Sequence, residues 1–298
     1  MTTGRKIALG AFGVYFASIA IVVIIFGFTR RDNDEFLPQN EFQLHTWINL
    51  PGPLDINKAV MYVIIAGILT VGTMVWVARR MQARPNRVQT LVEALYAFMR
   101  DQITGSAMDD KMARKWFPFL ATLFLFIWFS NLIGYIPLPT NTEHTFDLFG
   151  ANIPSFALYA ATANISVPLV LALVVFVSYT VEGIRAKGFI GYLKSLIPEG
   201  ITGVAAIPLF GLEVMSNFMR LLSLSVRLFA NILAGHLIIL FMAGGLAVLL
   251  GIEALGVFTL PFGLALFMFE LGLVATLQAF IFATLSAIYL GGAVAAHH

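Results

Sequence analysis

"SLSVRLFANILAGH", residues 223–236, lies inside a long, mostly apolar run bounded by Pro208 and Pro261. At its centre stands Arg227, whose guanidinium stays charged at any physiological pH. An arginine at the middle of a membrane helix costs about 2.5–3.5 kcal/mol on insertion scales, so it needs a compensating partner. The run itself is too long for a simple crossing. A helix over 208–250 would extend roughly 64 Å, against a hydrocarbon core of about 30 Å. A second run, 262–290, would extend roughly 43 Å. Two arrangements accommodate these lengths. One is a pair of ordinary spans with a turn hidden near Gly235 or Gly244-Gly245. The other is a hairpin of two long helices, turning near Gly251, tilted steeply toward the membrane plane.

The rest of the chain supports a membrane reading. Of its 298 residues 59% are hydrophobic and only 11% charged, with mean hydropathy +0.87. A soluble domain carries about 25% charged residues. The fold class is therefore an all-α polytopic membrane protein, with about five to six membrane helices by the count of apolar runs. A net charge of +2 gives no reason to expect nucleic acid as a partner. The absence of cysteine excludes disulfides, thiolate metal sites and cysteine nucleophiles. Four tryptophans and 27 phenylalanines suit lipid-facing and interfacial packing. There is no internal repeat of the kind that builds many transporters.

Residues 7–28, preceded by Arg5 and Lys6, form the first apolar run. They are either a retained span, for which the length argues, or a removed signal, for which the charged flank argues. Residues 1–56 then read as an N-terminal helix and an external polar segment. Residues 57–205 hold spans at 57–78, 116–136 and 163–182. Between the first two, "VQTLVEALYAFMRDQI" (88–103) reads as an amphipathic helix lying at the membrane surface. Residues 206–298 carry the two long runs. Eight Lys or Arg fall in 79–115 and three in 183–207, whereas 137–162, read as a loop, and 251–261, read as a turn, have none. By the positive-inside rule the basic loops face the cytoplasm.

On the first long helix Glu213, Arg220, Ser223, Arg227 and Asn231 fall within a stripe of roughly 80°. His236 points roughly the opposite way, about 13 Å further along the axis than Arg227, and Glu213 lies about 21 Å behind it. On the second helix Gln278 and Tyr289 share a face, with Glu270 about a quarter-turn round. Acids and imidazoles inside a membrane mark proton relays and ion paths. Ser223 and Ser225 equally suit ordinary interhelical hydroxyl bonds. Ala230, Ala234 and Gly235 let another backbone approach closely beside the arginine. Glu213 and Glu270 are the partners for Arg227 that the chain itself offers, and an intermittent carboxylate on another protein fits better. His236 with Glu270 falls short of the three or four ligands of a zinc site, and His297-His298 reads as a solvated tail. No metal or cofactor is expected. No phosphate loop, Ser-His-Asp set or HExxH occurs, so the chain shows no covalent chemistry of its own.

At these residues the sequence resembles subunit a of the F-type ATP synthase. The resemblance rests on "SLSVRLFANILAGH", on "NLIGYIP" (131–137), on "TAN" (162–164) and on "LQAFIFATLSAIYL" (277–290), in family order over roughly 57–290. It implies that the last two helices are long and steeply tilted, as a hairpin against a rotating c-ring. It implies that Arg227 is the essential arginine facing the ring carboxylate, with Gln278 its neighbour on the final helix. Glu213 belongs to the cytoplasmic half-channel, and Asn231, His236 and Glu270 lie near the outer one. The implied partners are the c-ring, the subunit b peripheral stalk and the lipid bilayer, and the implied location is the bacterial plasma (inner) membrane. The implied work is coupling proton flow to rotation and ATP synthesis. Glu270 stands eight residues before Gln278, one more than the resemblance implies, and the run at 7–28 falls outside it. The competing readings are a stand-alone transporter that binds an anion at Arg227 and a non-conducting assembly scaffold.

Overall fold

The computed structural model describes residues 13–17, 20–21, 46–48, 56–80, 87–148, 151–197, 206–245 and 253–295. Most of the apolar run at 7–28 therefore lies outside the described residues, as do the turn expected near Gly251 and the His297-His298 tail. Among the described residues the chain is built from helices. They are α1 (Lys58–Arg80), α2 (Arg87–Phe98), α3 (Asp110–Ile133), α4 (Ser166–Lys187), α5 (Phe189–Ser195), α6 (Ala206–Leu240), α7 (Glu253–Phe269) and α8 (Ala275–Val294). Wider π-helical turns extend α2 (Met99–Thr104) and α6 (Phe241–Gly245), and another, Glu270–Val274, joins α7 to α8. Five stretches are long and apolar enough to cross a membrane: α1, α3, α4, α6 and the continuous Phe258–Val294. The protein is a multi-pass, all-α membrane protein.

Two antiparallel ribbons decorate this helical frame. One pairs β1 (Thr46–Ile48) with β2 (Ile56–Asn57), the other β3 (Leu138–Leu148) with β4 (Ala151–Ala157). The second ribbon corrects the expectation of a loop at 137–162. Thr142, Thr145, Phe146, Ile153 and Phe156 are strand formers, but Pro139 and Pro154 obscure the alternation. A second correction concerns the last helix, which begins at Glu253 and carries Pro261 inside it. By sequence, Pro261 falls in the expected turn at 251–261. Membrane helices tolerate an internal proline because neighbouring groups satisfy the freed carbonyl. Continuity of α6 through Gly235 also removes a turn at that position.

The chain divides into two compact units. The larger comprises Thr46–Pro137, Leu158–Leu233 and Val274–His298. Its centre is α8, which packs against α3 and α4, while α1 packs against α3. The sequence explains this centrality. Ala275, Ala279, Ala283 and Ala287 repeat at four-residue spacing and each is 0% exposed. Small residues at that spacing let helix backbones approach closely, which is the main source of helix association in lipid. At one end the Asn131 amide donates to the Ala275 carbonyl at 3.2 Å and accepts from the Thr162 hydroxyl at 2.7 Å. The Trp128 indole N–H meets the Thr276 hydroxyl at 3.0 Å. At the other end a Cβ on Gly291 would overlap the Ala107 carbonyl, so only glycine fits. An ion pair from Lys115, near the start of α3, to buried Glu182 ties that helix to the end of α4. Beside α1, Tyr62 meets Tyr159 edge to face at 5.8 Å, and Lys58 stands 5.0 Å over the Tyr159 ring. Burial pushes the Tyr159 hydroxyl up to about 12, so it stays neutral.

The smaller unit comprises Met1–His45, Leu138–Ala157 and Ala234–Leu273. In it the π-helical Phe241–Gly245 packs against α7. The Tyr15 hydroxyl donates to the Phe258 carbonyl at 2.6 Å, joining the described part of the N-terminal run to α7. The outward faces of the spans are apolar: on α1, Ile64, Ile68, Val71 and Trp76 are all exposed. That surface suits lipid, where the helical backbone is already satisfied.

Candidate functional site

In the larger unit, α6 turns Glu213, Asn217 and Arg220 to one side, as residues four and seven apart must. The Arg220 guanidinium pairs with the Glu213 carboxylate at 3.5 Å and donates to the Asn217 side-chain oxygen at 3.4 Å. The Tyr179 hydroxyl on α4 donates to the same oxygen at 3.4 Å, and Arg220 lies 5.7 Å over the Tyr289 ring on α8. These side chains, with Lys187 and Tyr192, line a cavity of about 220 Å³. Both members of the ion pair are more than a third exposed, at 41% and 37%, so it adds little to stability. Its effect is positional: it holds a carboxylate at the wall of a polar space large enough for several waters.

Arg227 has a different environment. Leu224, Ser225, Leu228 and Ile232 are buried on one side of α6. Ser223, Val226, Arg227, Ala230, Asn231 and Ala234 are exposed on the other. Arg227 makes no hydrogen bond or ion pair with another described residue. Glu213, one of the two acids offered as its partner, is held by Arg220 instead. Asn231 shares the open face, whereas Gln278 is 5% exposed on the packed side of α8. Ser225, for which an interhelical hydroxyl bond was the ordinary expectation, instead bonds the Leu222 carbonyl of its own helix at 3.0 Å.

The smaller unit holds the remaining two site residues. His236 is 5% exposed, and Gly235 beside it is buried. A Cβ on Gly235 would overlap the Glu270 carboxylate, so the acid lies directly against this point of α6, one residue from the imidazole. The extra residue between Glu270 and Gln278 also has a physical explanation. Glu270 opens the π-helical segment Glu270–Val274, and a π turn holds more residues than an α turn. A segment of this kind can take up one residue more than straight-helix spacing allows. Among the described residues no three His, Asp or Glu side chains converge as a metal site would require.

Sequence reading missed Asn217, Tyr179 and Tyr289 as members of the Glu213 cluster, and missed the Lys115–Glu182 pair. The four- and three-residue steps from Glu213 to Asn217 to Arg220 were a usable signal. The tyrosines and the second pair come from other helices, and their meeting depends on packing.

A family model described as ATP synthase A chain matches residues 60–291. An ATP synthase subunit a of Rubrobacter xylanophilus is 35% identical over 260 residues, covering 83% of this chain and 92% of the relative. One from Paramagnetospirillum magneticum is 34% identical over 266 residues, covering 87% and 99%. One from Rhodopseudomonas palustris is 37% identical over 221 residues, covering 73% and 80%. The match takes in the whole of α3, α4 and α6 and nearly all of α8, and with them every residue of the site: the chain belongs to the ATP synthase A chain family.

Proposed function

We propose that this chain is the static, proton-conducting subunit of an F-type ATP synthase in a bacterial plasma membrane, with Arg227 as the fixed charge between two half-channels. The observation that carries the reading is Arg227 itself. It stands on an open, small-residue face without a described partner, in a stretch where an uncompensated charge is costly. A carboxylate on a rotating ring of c subunits, passing along the face of Ser223, Ala230 and Ala234, supplies the missing partner. The peripheral-stalk subunit b holds the chain against that motion.

The mechanism follows from the charges. A proton enters from outside past Glu270 and His236, an acid and an imidazole of the kind that relay protons inside membranes. It neutralises a ring carboxylate, which then leaves for the lipid. The carboxylate that arrives at Arg227 from the other side meets a permanent cation, which favours its ionised form. Its proton departs through the cavity walled by Glu213, Asn217 and Arg220 toward the cytoplasm. Arg227 also repels protons moving directly between the paths. Each crossing releases about 2.3 kcal/mol per 100 mV. The two helices exceed the bilayer thickness, α6 extending about 52 Å, which supports the tilt that would spread them across the ring. Orientation follows the basic segment 79–115.

The test is ATP-driven pumping and passive leak in inverted vesicles, with assembly followed by co-purification of the ring. Arg227→Ala should assemble yet lose coupled pumping completely. Arg227→Lys should fail as well, because a buried lysine can release its proton and lacks the planar fork. Normal pumping by an assembled Arg227→Ala complex would overturn the mechanism.

A further inference from the structure

The larger unit contains a second cavity, of about 440 Å³, where α2 and its π-helical extension meet the start of α3. Tyr96, Arg100, Asp101, Asp110, Arg114 and Phe117 line it. Two guanidiniums and two carboxylates thus face one space, yet none of the four side chains bonds another described residue. No guanidinium nitrogen of Arg100 or Arg114 lies within 4.0 Å of a carboxylate oxygen of Asp101 or Asp110. Exposed opposite charges on neighbouring turns ordinarily close on each other. Here they stand apart around a volume large enough for a small polar group.

The position of the cavity identifies the kind of group. The sequence of α3 is charged through Lys115 and turns apolar from Trp116 onward. Tryptophan marks the headgroup level of a bilayer, so Arg114, two residues earlier, sits among lipid headgroups. The amphipathic α2 belongs to the same level. The cavity has an apolar wall, where Tyr96 meets Phe117 edge to face at 4.7 Å. Its formal charge is zero: Arg100 and Arg114 against Asp101 and Asp110. A purely anionic headgroup would satisfy the guanidiniums and leave two carboxylates facing its phosphate. A headgroup with both a phosphodiester and a primary ammonium satisfies all four.

We infer that this cavity binds the zwitterionic headgroup of an amino-phospholipid of the phosphatidylethanolamine class. Arg100 and Arg114 grip the phosphate, and Asp101 and Asp110 receive the ammonium. The Tyr96–Phe117 pair supports the glycerol and the first acyl carbons. The site is separate from the proton path and does not depend on it. It gives the α2–α3 segment a lipid component at the membrane surface.

The inference is tested on the whole complex reconstituted in bilayers of phosphatidylethanolamine and phosphatidylglycerol in equal amounts. Trace photoactivatable analogues of each lipid are crosslinked and mapped by peptide mass spectrometry. The segment 96–117 should be labelled by the ethanolamine lipid in preference to the glycerol lipid. Arg100→Gln with Arg114→Gln should cut labelling by both lipids about tenfold, the loss of charge-assisted bonds to phosphate. Asp101→Asn with Asp110→Asn should keep the labelling and abolish the preference, which separates headgroup reading from general misfolding. Equal labelling by the two lipids in the unmodified complex would overturn the inference, as would unchanged labelling in the arginine variant. Loss of other subunits from the arginine variant with labelling unchanged would assign the cavity to a protein contact.

Discussion

α8 and α6 use the same device to opposite ends. On α8 the small residues Ala275, Ala279, Ala283 and Ala287 are closed over completely by the chain's own helices. On α6 the small residues Ala230 and Ala234 stand open, beside a serine, an asparagine and an unpaired arginine. Close approach of backbones is the common currency of helix association in lipid. On α8 it is used up within the fold. On α6 it remains available, and the charge placed on it means that its user must bring a compensating group. The difference separates residues that build the subunit from residues that serve a moving neighbour.

The largest effect expected from this contrast is a reversal between two matched substitutions. Ala279→Leu forces a larger side chain into a closed seam, and overpacking of that kind costs about 1–3 kcal/mol or more. The chain should become scarce in membranes by immunoblot, and pumping should fall with it. Ala230→Leu meets no packed neighbour and should leave the amount of chain unchanged while pumping and ring co-purification fall. Equal losses of chain in both variants would erase the distinction between closed and open faces.

A smaller effect is expected at Gly235, which is buried and whose nearest neighbour is the carboxylate end of the flexible Glu270 side chain. Gly235→Ala should therefore be accommodated by displacing the Glu270 carboxylate, with little change in the amount of chain. Because the displaced acid no longer lies beside His236, ATP-driven pumping should drop about tenfold, the scale of a mispositioned proton-transfer group. Unaltered pumping would remove the Glu270 position from the entry path and leave Gly235 a purely structural residue.

These contrasts also show what the linear chain conveys and what it conceals. The spans were legible because lipid imposes its thickness on every apolar run, and Arg227 because a permanent charge at the middle of such a run is costly. The β3–β4 ribbon was not legible, since prolines at 139 and 154 broke the alternation that marks a strand. Pro261 pointed to a turn because proline does so in soluble chains, whereas here it sits within a helix. Within α6 the Glu213–Asn217–Arg220 cluster follows from helical spacing. Its completion by Tyr179 and Tyr289 depends on how α4 and α8 pack, and no local pattern encodes that. The one-residue excess between Glu270 and Gln278 falls where the helix widens into a π turn, which no local sequence pattern announced.

That wide turn bears on how such a helix can change over time. In a straight membrane helix, loss of one residue rotates everything beyond it by about 100°, so a deletion in the span scrambles its faces. Glu270–Val274 already carries its surplus residue, and Gly272 within it has open space where a Cβ would stand. Deleting Gly272 should let the segment relax to ordinary α geometry, with Glu270 and Gln278 seven apart and still facing as before. Pumping should survive that deletion, although loss of Leu285 from the straight part of α8 should destroy it. The helix has two acceptable spellings, one longer than the other, and a lineage could pass between them in a single step without losing its acid.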